Sequence, residues 1–141
     1  MSPAPLTRPF SALPVALRSR LPAAFAAVVT VAAGLTVRAV TGGWFGKYAG
    51  DALYTVLVYA LIVLVWPRVP PARAALGALV FSWAVEFAQL TPLPAALSQA
   101  GVLARLVLGS TFGVADLAAY AAGAALAWTA HTLLRRVSRA G

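Results

Sequence analysis

The sequence predicts an all-α fold: an integral membrane bundle of four transmembrane helices, with a short surface or re-entrant helix between the third and the fourth. Three observations predict it. Of 141 residues, 62% are hydrophobic and only 10% are charged, against about 25% charged in soluble domains, and mean hydropathy is +0.87. The apolar residues gather in long runs punctuated by proline, glycine and arginine, each near the length that a membrane-crossing helix needs. The chain has three acidic residues, Asp51, Glu86 and Asp116, and each lies in or at the edge of such a run. At mid-membrane an ionisable group costs about 2.5–3.5 kcal/mol on insertion scales, and it persists by facing a bundle interior or a wet cavity.

Residues 1–20 contain Pro3, Pro5, Pro9 and Pro14 with three arginines, and read as a cytoplasmic N-terminal tail. The single transmembrane domain is expected over 21–134. Its first span covers 21–40; the basic stretch before it is long and no small-residue cleavage site precedes Gly42, so a retained helix is expected rather than a signal peptide. The second span covers 51–66. Pro67, Pro70 and Pro71 then force a tight turn, because proline lacks the amide hydrogen and clashes with the preceding helical turn. The third span covers 74–90. These two are short, but about 17 residues of helix reach about 25 Å. The stretch 93–109 carries Pro94, Gln99, Gly101 and Arg105, which suits a surface or re-entrant helix. The fourth span covers 114–134, and 135–141 form a basic cytoplasmic tail.

The arginines and lysine set the orientation. With both termini in the cytoplasm, Arg8, Arg18, Arg20, Arg68, Arg73, Arg135, Arg136 and Arg139 are inside, and Arg38, Lys47 and Arg105 are outside. That excess satisfies the positive-inside rule. Were 93–109 to span, the basic C-terminus would be outside. The net charge of +8 therefore reads as topology in a bacterial cytoplasmic (inner) membrane and not as nucleic-acid binding, because no basic patch is interleaved with aromatics. Alanine-rich, arginine-over-lysine usage fits a GC-rich bacterial genome. The chain has no cysteine and one histidine, His131, so thiolate sites, disulfides and multi-histidine metal sites within it are excluded. No phosphate-binding loop, zinc pattern or nucleophile elbow occurs, so no cofactor or metal is expected.

At helical spacing the polar and small residues align on one face of each span. These are Thr30, Gly34, Arg38 and Thr41; Asp51, Tyr54, Thr55 and Tyr59; Ser82, Glu86 and Gln89; and Asp116, Tyr120, Gly123 and Ala127. Small and polar faces pack against one another in lipid, which predicts a polar seam. Counted at ~1.5 Å per residue, Asp51 and Asp116 fall about 25–28 Å from the inner arginines, and Glu86 falls about 20 Å from Arg73, deeper than the others. The candidate ligand-binding cluster is Arg38, Lys47, Asp51, Tyr54, Glu86, Gln89, Arg105, Asp116 and Tyr120. Its three acids and three bases are expected to interlock as a nearly neutral network, with Lys47 and Asp51 paired one turn apart. His131 reads as an interfacial residue.

Four motifs follow in order: Lys47-Tyr48-Ala49-Gly50-Asp51-Ala52-Leu53-Tyr54, Glu86-Phe87-Ala88-Gln89-Leu90, Arg105-Leu106-Val107-Leu108-Gly109-Ser110, and Asp116-Leu117-Ala118-Ala119-Tyr120-Ala121-Ala122-Gly123. Their order and spacing closely resemble the domain-of-unknown-function family 2809 of small bacterial membrane proteins, over about residues 21–128. More distantly they resemble the VanZ-like family, with an acidic-basic pair, E-x-x-Q, an arginine and then D-x-x-x-N-x-x-G. Tyr120 stands where that pattern has asparagine, and Tyr54 or Thr55 lies where it has a histidine. The resemblance implies that Asp51, Glu86, Gln89, Arg105 and Asp116 are the characteristic polar residues. For the VanZ-like family it implies a role at the outer membrane surface connected with tolerance of glycopeptide antibiotics.

Four functions compete. The first is a cell-envelope binding or accessory protein, with an outward-facing site in which Arg38, Lys47 and Arg105 hold a lipid-linked or amphiphilic ligand. The second is a structural membrane subunit whose seam only holds the bundle together. The third is an outer-leaflet enzyme acting on envelope lipids with Glu86 as acid or base, although no nucleophile–base pair is visible and the catalytic residues are unknown. The last is ion or proton translocation, for which the inner half offers only Tyr59 and His131. Membrane lipids are the expected partners. Four short spans leave little room for a deep cavity, so a homo-oligomer or a membrane complex is a further expectation.

Overall fold

The computed structural model describes residues 14–108 and 111–141. Most of the expected N-terminal tail, 1–13, and Gly109-Ser110 of the arginine motif lie outside the described residues.

The described residues form helices joined by turns. A single turn, α1 (Val15–Arg18), leads into α2 (Leu21–Val40). Pro22 sits in the first turn of α2, where its missing amide hydrogen would have had no helical partner. The apolar run holds the helix to Val40, so its bounds are the expected 21–40. The link to α3 (Gly43–Val65) is Thr41 and Gly42 alone, and α2 and α3 therefore pack as a hairpin. Glycine makes this corner possible. Gly43 adopts a positive φ of 71°, which glycine tolerates without a side-chain clash, and a Cβ on Gly46 would stand 2.7 Å from the Thr41 carbonyl oxygen.

The expected second span began at Asp51; the helix begins eight residues earlier. The glycines and Lys47 lower the hydropathy of residues 43–50, but they continue the α3 backbone and bring Lys47 one turn ahead of Asp51. Pro67 and Pro70 separate α3 from α4 (Pro71–Ala88), whose own proline again takes the first position. Two short helices follow, α5 (Leu93–Ser98) and α6 (Val102–Leu108), packed on each other. The expected single helix is thus broken, at Gly101, whose φ is 151°, and neither piece is long enough to cross a membrane. The last helix, α7 (Val114–Ala140), runs through the expected tail: Arg135, Arg136 and Arg139 are helical residues.

Three stretches are long and apolar enough to cross a membrane: Val15–Val40, Gly43–Val65 and Val114–Ala140. The third expected span, 74–90, corresponds to α4, an 18-residue helix that carries Arg73 and Glu86, which dilute its apolar character. Inside the bundle, α3 packs against α2, α4 and α7, and α4 packs against α7. The core is made of small residues around one aromatic: Tyr59, Ala74, Ala78 and Ala127, flanked by Val56, Ile62 and Val63. Alanine and glycine let the backbones approach closely, as membrane helices require. The closest approach is at Gly123, where any Cβ would collide with the Ala52 carbonyl. Large apolar side chains instead point outward, among them Phe25, Val28, Leu35, Val80 and Leu126. This is the arrangement of a membrane protein: a small-residue interior and an exterior apolar enough for lipid.

Candidate functional site

A cavity of about 510 Å³ opens between α2 and the α4–α6–α7 side of the bundle, floored by α3. All nine residues of the candidate cluster line it: Arg38, Lys47, Asp51, Tyr54, Glu86, Gln89, Arg105, Asp116 and Tyr120. Helical periodicity explains the convergence, because each helix contributes residues three or four apart from the face it turns inward.

The charged residues divide the cavity unequally. Glu86 is fully buried and both its oxygens accept hydrogen bonds. The Gly113 backbone amide donates to Oε1 at 2.6 Å, and the Tyr120 hydroxyl donates to Oε2 at 2.9 Å. A buried carboxylate is tolerated when its lone pairs are matched in this way. Asp116 is 3% exposed and forms a close ion pair with Lys47. Lys47 also faces Asp51, but at 3.7 Å, and Asp51 Oδ2 has no hydrogen-bond partner. The expected local pair thus exists as the weaker of two contacts. Asp116 takes the lysine because α7 presents it across the helix interface, whereas Asp51 must reach along its own helix.

The expected three-by-three network does not form. Arg38 and Arg105 are exposed and make no ion pair among the described residues. Glu86, the deepest acid, takes its donors from a backbone amide and a tyrosine rather than from an arginine. Of the two boundary acids, Asp116 is buried and Asp51 is partly exposed. Among the described residues, no three histidine or acidic side chains come together as a metal site.

Gln89 has a positioning role that spacing alone does not indicate. Its Nε2 donates to the Leu108 carbonyl at 2.7 Å, which ties the end of α6, and with it Arg105, to α4. Stacking of Phe87 on Phe112 at 5.8 Å fixes the next segment beside it. Gln89 Oε1 and the Tyr54 hydroxyl have no partner within the described residues. The Tyr54 ring lies against that of Tyr120, with centroids 6.2 Å apart.

Sequence reasoning missed several contributors. Thr111 and Gly46 line the cavity, and Gly113 supplies a main-chain donor that no side-chain pattern could reveal. Below the cavity, Thr55 and Ser82 share a hydrogen bond of 2.9 Å and are both fully buried. His131 is not merely interfacial: its Nδ1 is 2.7 Å from the Tyr59 hydroxyl, in an edge-on ring contact. Trp83 Nε1 donates to the Leu117 carbonyl at 3.1 Å, a further link between α4 and α7.

A family model described as "Protein of unknown function (DUF2809)" matches residues 40–124. The match spans most of the cavity-lining cluster, and Arg38 lies two residues before it. No curated protein and no solved structure matches the chain.

Proposed function

The chain belongs to the DUF2809 family, and we propose that it is a cell-envelope binding or accessory protein whose cavity holds the phosphate-bearing headgroup of an amphiphile. The supporting observation is the distribution of pairing. The carboxylates of Glu86 and Asp116 have partners inside the protein, whereas the guanidinium groups of Arg38 and Arg105, on α2 and α6 of the same cavity, have no acidic partner among the described residues. Guanidinium presents planar, forked donors that suit phosphate and carboxylate oxygens. Val31, Leu35, Leu53 and Leu57 continue the cavity wall, so an acyl or prenyl chain has apolar surface to follow.

In this reading α4 is a fourth, short crossing. Both termini are cytoplasmic, the membrane is the bacterial inner membrane, and the cavity faces outward, as the arginine distribution requires. A VanZ-like role at the outer surface is consistent with the motif order. Native mass spectrometry of gently purified protein tests the proposal. The wild type is expected to carry a discrete phosphate-bearing amphiphile that is lost in Arg38→Ala/Arg105→Ala while the unfolding temperature is retained. Equal adducts in both proteins would refute it.

A second reading, a structural membrane subunit, draws on a different observation. Glu86, Tyr120, Thr55 and Ser82 complete one another within the bundle. A carboxylate held by two donors is poorly placed to shuttle protons, which weighs against Glu86 as an acid or base.

A further inference from the structure

We propose that the headgroup this cavity selects is a phosphate bearing a primary ammonium, that is, phosphoethanolamine presented by a membrane lipid; the inference rests on the reading of the cavity as a site for a phosphate-bearing headgroup. Two arginines alone would accept any anion. The third incompletely paired charge in the cavity is negative. Asp116 holds Lys47 in the closer contact, so Asp51 is left with that lysine at 3.7 Å and with its Oδ2 without a hydrogen-bond partner. Oδ2 is itself shielded on the Lys47 side, but the Asp51 side chain as a whole is 23% exposed and lines the cavity, so the carboxylate is approached from its other edge. The cavity therefore offers two cations and one anion that the protein itself does not fully pair.

A simple anion would satisfy the arginines and add repulsion at Asp51. A zwitterion with phosphate toward Arg38 and Arg105, and ammonium toward Asp51, satisfies both signs. The ammonium must carry hydrogens. Charge-assisted N–H···O bonds are the strong ones, and a quaternary ammonium has no hydrogen to donate. Aromatic cages are the usual recognition of quaternary ammonium, and here the two cavity tyrosines are engaged with each other and with Glu86. The lipid form is favoured over the free headgroup because Leu35, 63% exposed, and Val31 carry the apolar wall out along α2. That helix packs on α3 but makes no extensive contact with α4 or α7, so the cavity opens sideways toward lipid.

The full chain, purified in detergent and stripped of lipid, is titrated with phosphatidylethanolamine, phosphatidylcholine and phosphatidylglycerol of identical acyl chains. Bound fractions are read by native mass spectrometry. The ethanolamine lipid is expected to bind about tenfold tighter than either other lipid, one charge-assisted contact's worth of discrimination. Asp51→Asn should bring the three affinities together, and Asp51→Glu, which keeps the carboxylate, should restore a preference. Circular dichroism checks that each variant is folded. Equal binding of ethanolamine and choline lipids would overturn the inference. So would phosphatidylglycerol binding as tightly as the ethanolamine lipid, although the phosphate-headgroup reading would then stand. Binding of none of the three would remove both. Soluble O-phosphoethanolamine is run in parallel. Binding of that compound with the same dependence on Asp51 supports the headgroup chemistry but assigns its source to solution.

Discussion

The two sides of α3 treat polar residues in opposite ways. Toward α4 and α7, three polar layers are closed: Glu86 with Tyr120 and Gly113, Thr55 with Ser82, and Tyr59 with His131. Toward α2, the layers are open. Gly34 and Gly50 have nothing within 4 Å of where a Cβ would stand, Arg38 and Arg105 are exposed and outside any ion pair among the described residues, and Asp51 is only loosely compensated. A small charge-poor chain has separated polar groups that build the bundle from polar groups that face the cavity. Burial and pairing, rather than residue type, distinguish them. Glu86 and Asp51 are both acids on inward faces, but only one of them is left wanting a partner.

That contrast can be broken first at Gly123. Gly123→Val places a branched side chain against the Ala52 carbonyl, and overpacking of this kind is expected to destabilise by about 3 kcal/mol. Thermal unfolding in detergent measures it. Gly34→Val, on the open side, should leave the unfolding temperature nearly unchanged while narrowing the cavity. Next comes Glu86→Ala, which strands a half-buried amide and a buried hydroxyl. About 2–3 kcal/mol of stability should be lost, as such groups cost about 1–3 kcal/mol each when left unmet. Glu86→Gln, which retains one acceptor, should lose less. A Glu86→Ala protein as stable as wild type would mean that this side is not the structural one. Smaller still, a double-mutant cycle of Thr55→Val with Ser82→Ala should give a coupling of about 0.6 kcal/mol, the average for hydrogen bonds between membrane helices. Smallest on the stability scale, Arg105→Ala should change unfolding by less than about 0.5 kcal/mol. Any larger loss would reassign Arg105 from ligand contact to scaffold.

Much of this division was legible in the sequence, for definite reasons. Period-3.6 alignment places Ser82, Glu86, Asp116, Tyr120 and Gly123 inward, and all five are buried. An unbroken apolar run between basic residues gave the bounds of α2. Other features were hidden. The start of α3 was concealed because glycine and lysine depress hydropathy without ending a helix. The two short helices in place of one followed from a left-handed glycine at 101, whose conformation composition does not reveal. The choice of Asp116 over Asp51 as the partner of Lys47 depends on the α3–α7 approach, a tertiary fact. The Tyr59–His131 and Thr55–Ser82 bonds join residues 72 and 27 positions apart, beyond the reach of any local pattern. The donor to Glu86 is a main-chain amide, which leaves no trace in residue identity.

The position of α7 after α2, α3 and α4 in the chain bears on biogenesis. The α2–α3 hairpin needs only a two-residue corner, so it can form as soon as those residues leave the ribosome, and domains and sub-elements nearest the N-terminus assemble first. The partners of the earlier polar groups arrive later and together: Asp116 for Lys47, Gly113 and Tyr120 for Glu86, and His131 for Tyr59. Until α7 docks, the nascent bundle holds a lysine with only its weaker contact to Asp51 and an unsatisfied glutamate. Docking is therefore a single late event that completes several contacts at once, and a stalled or shortened polypeptide would present those orphaned groups as a ready mark for membrane proteolysis.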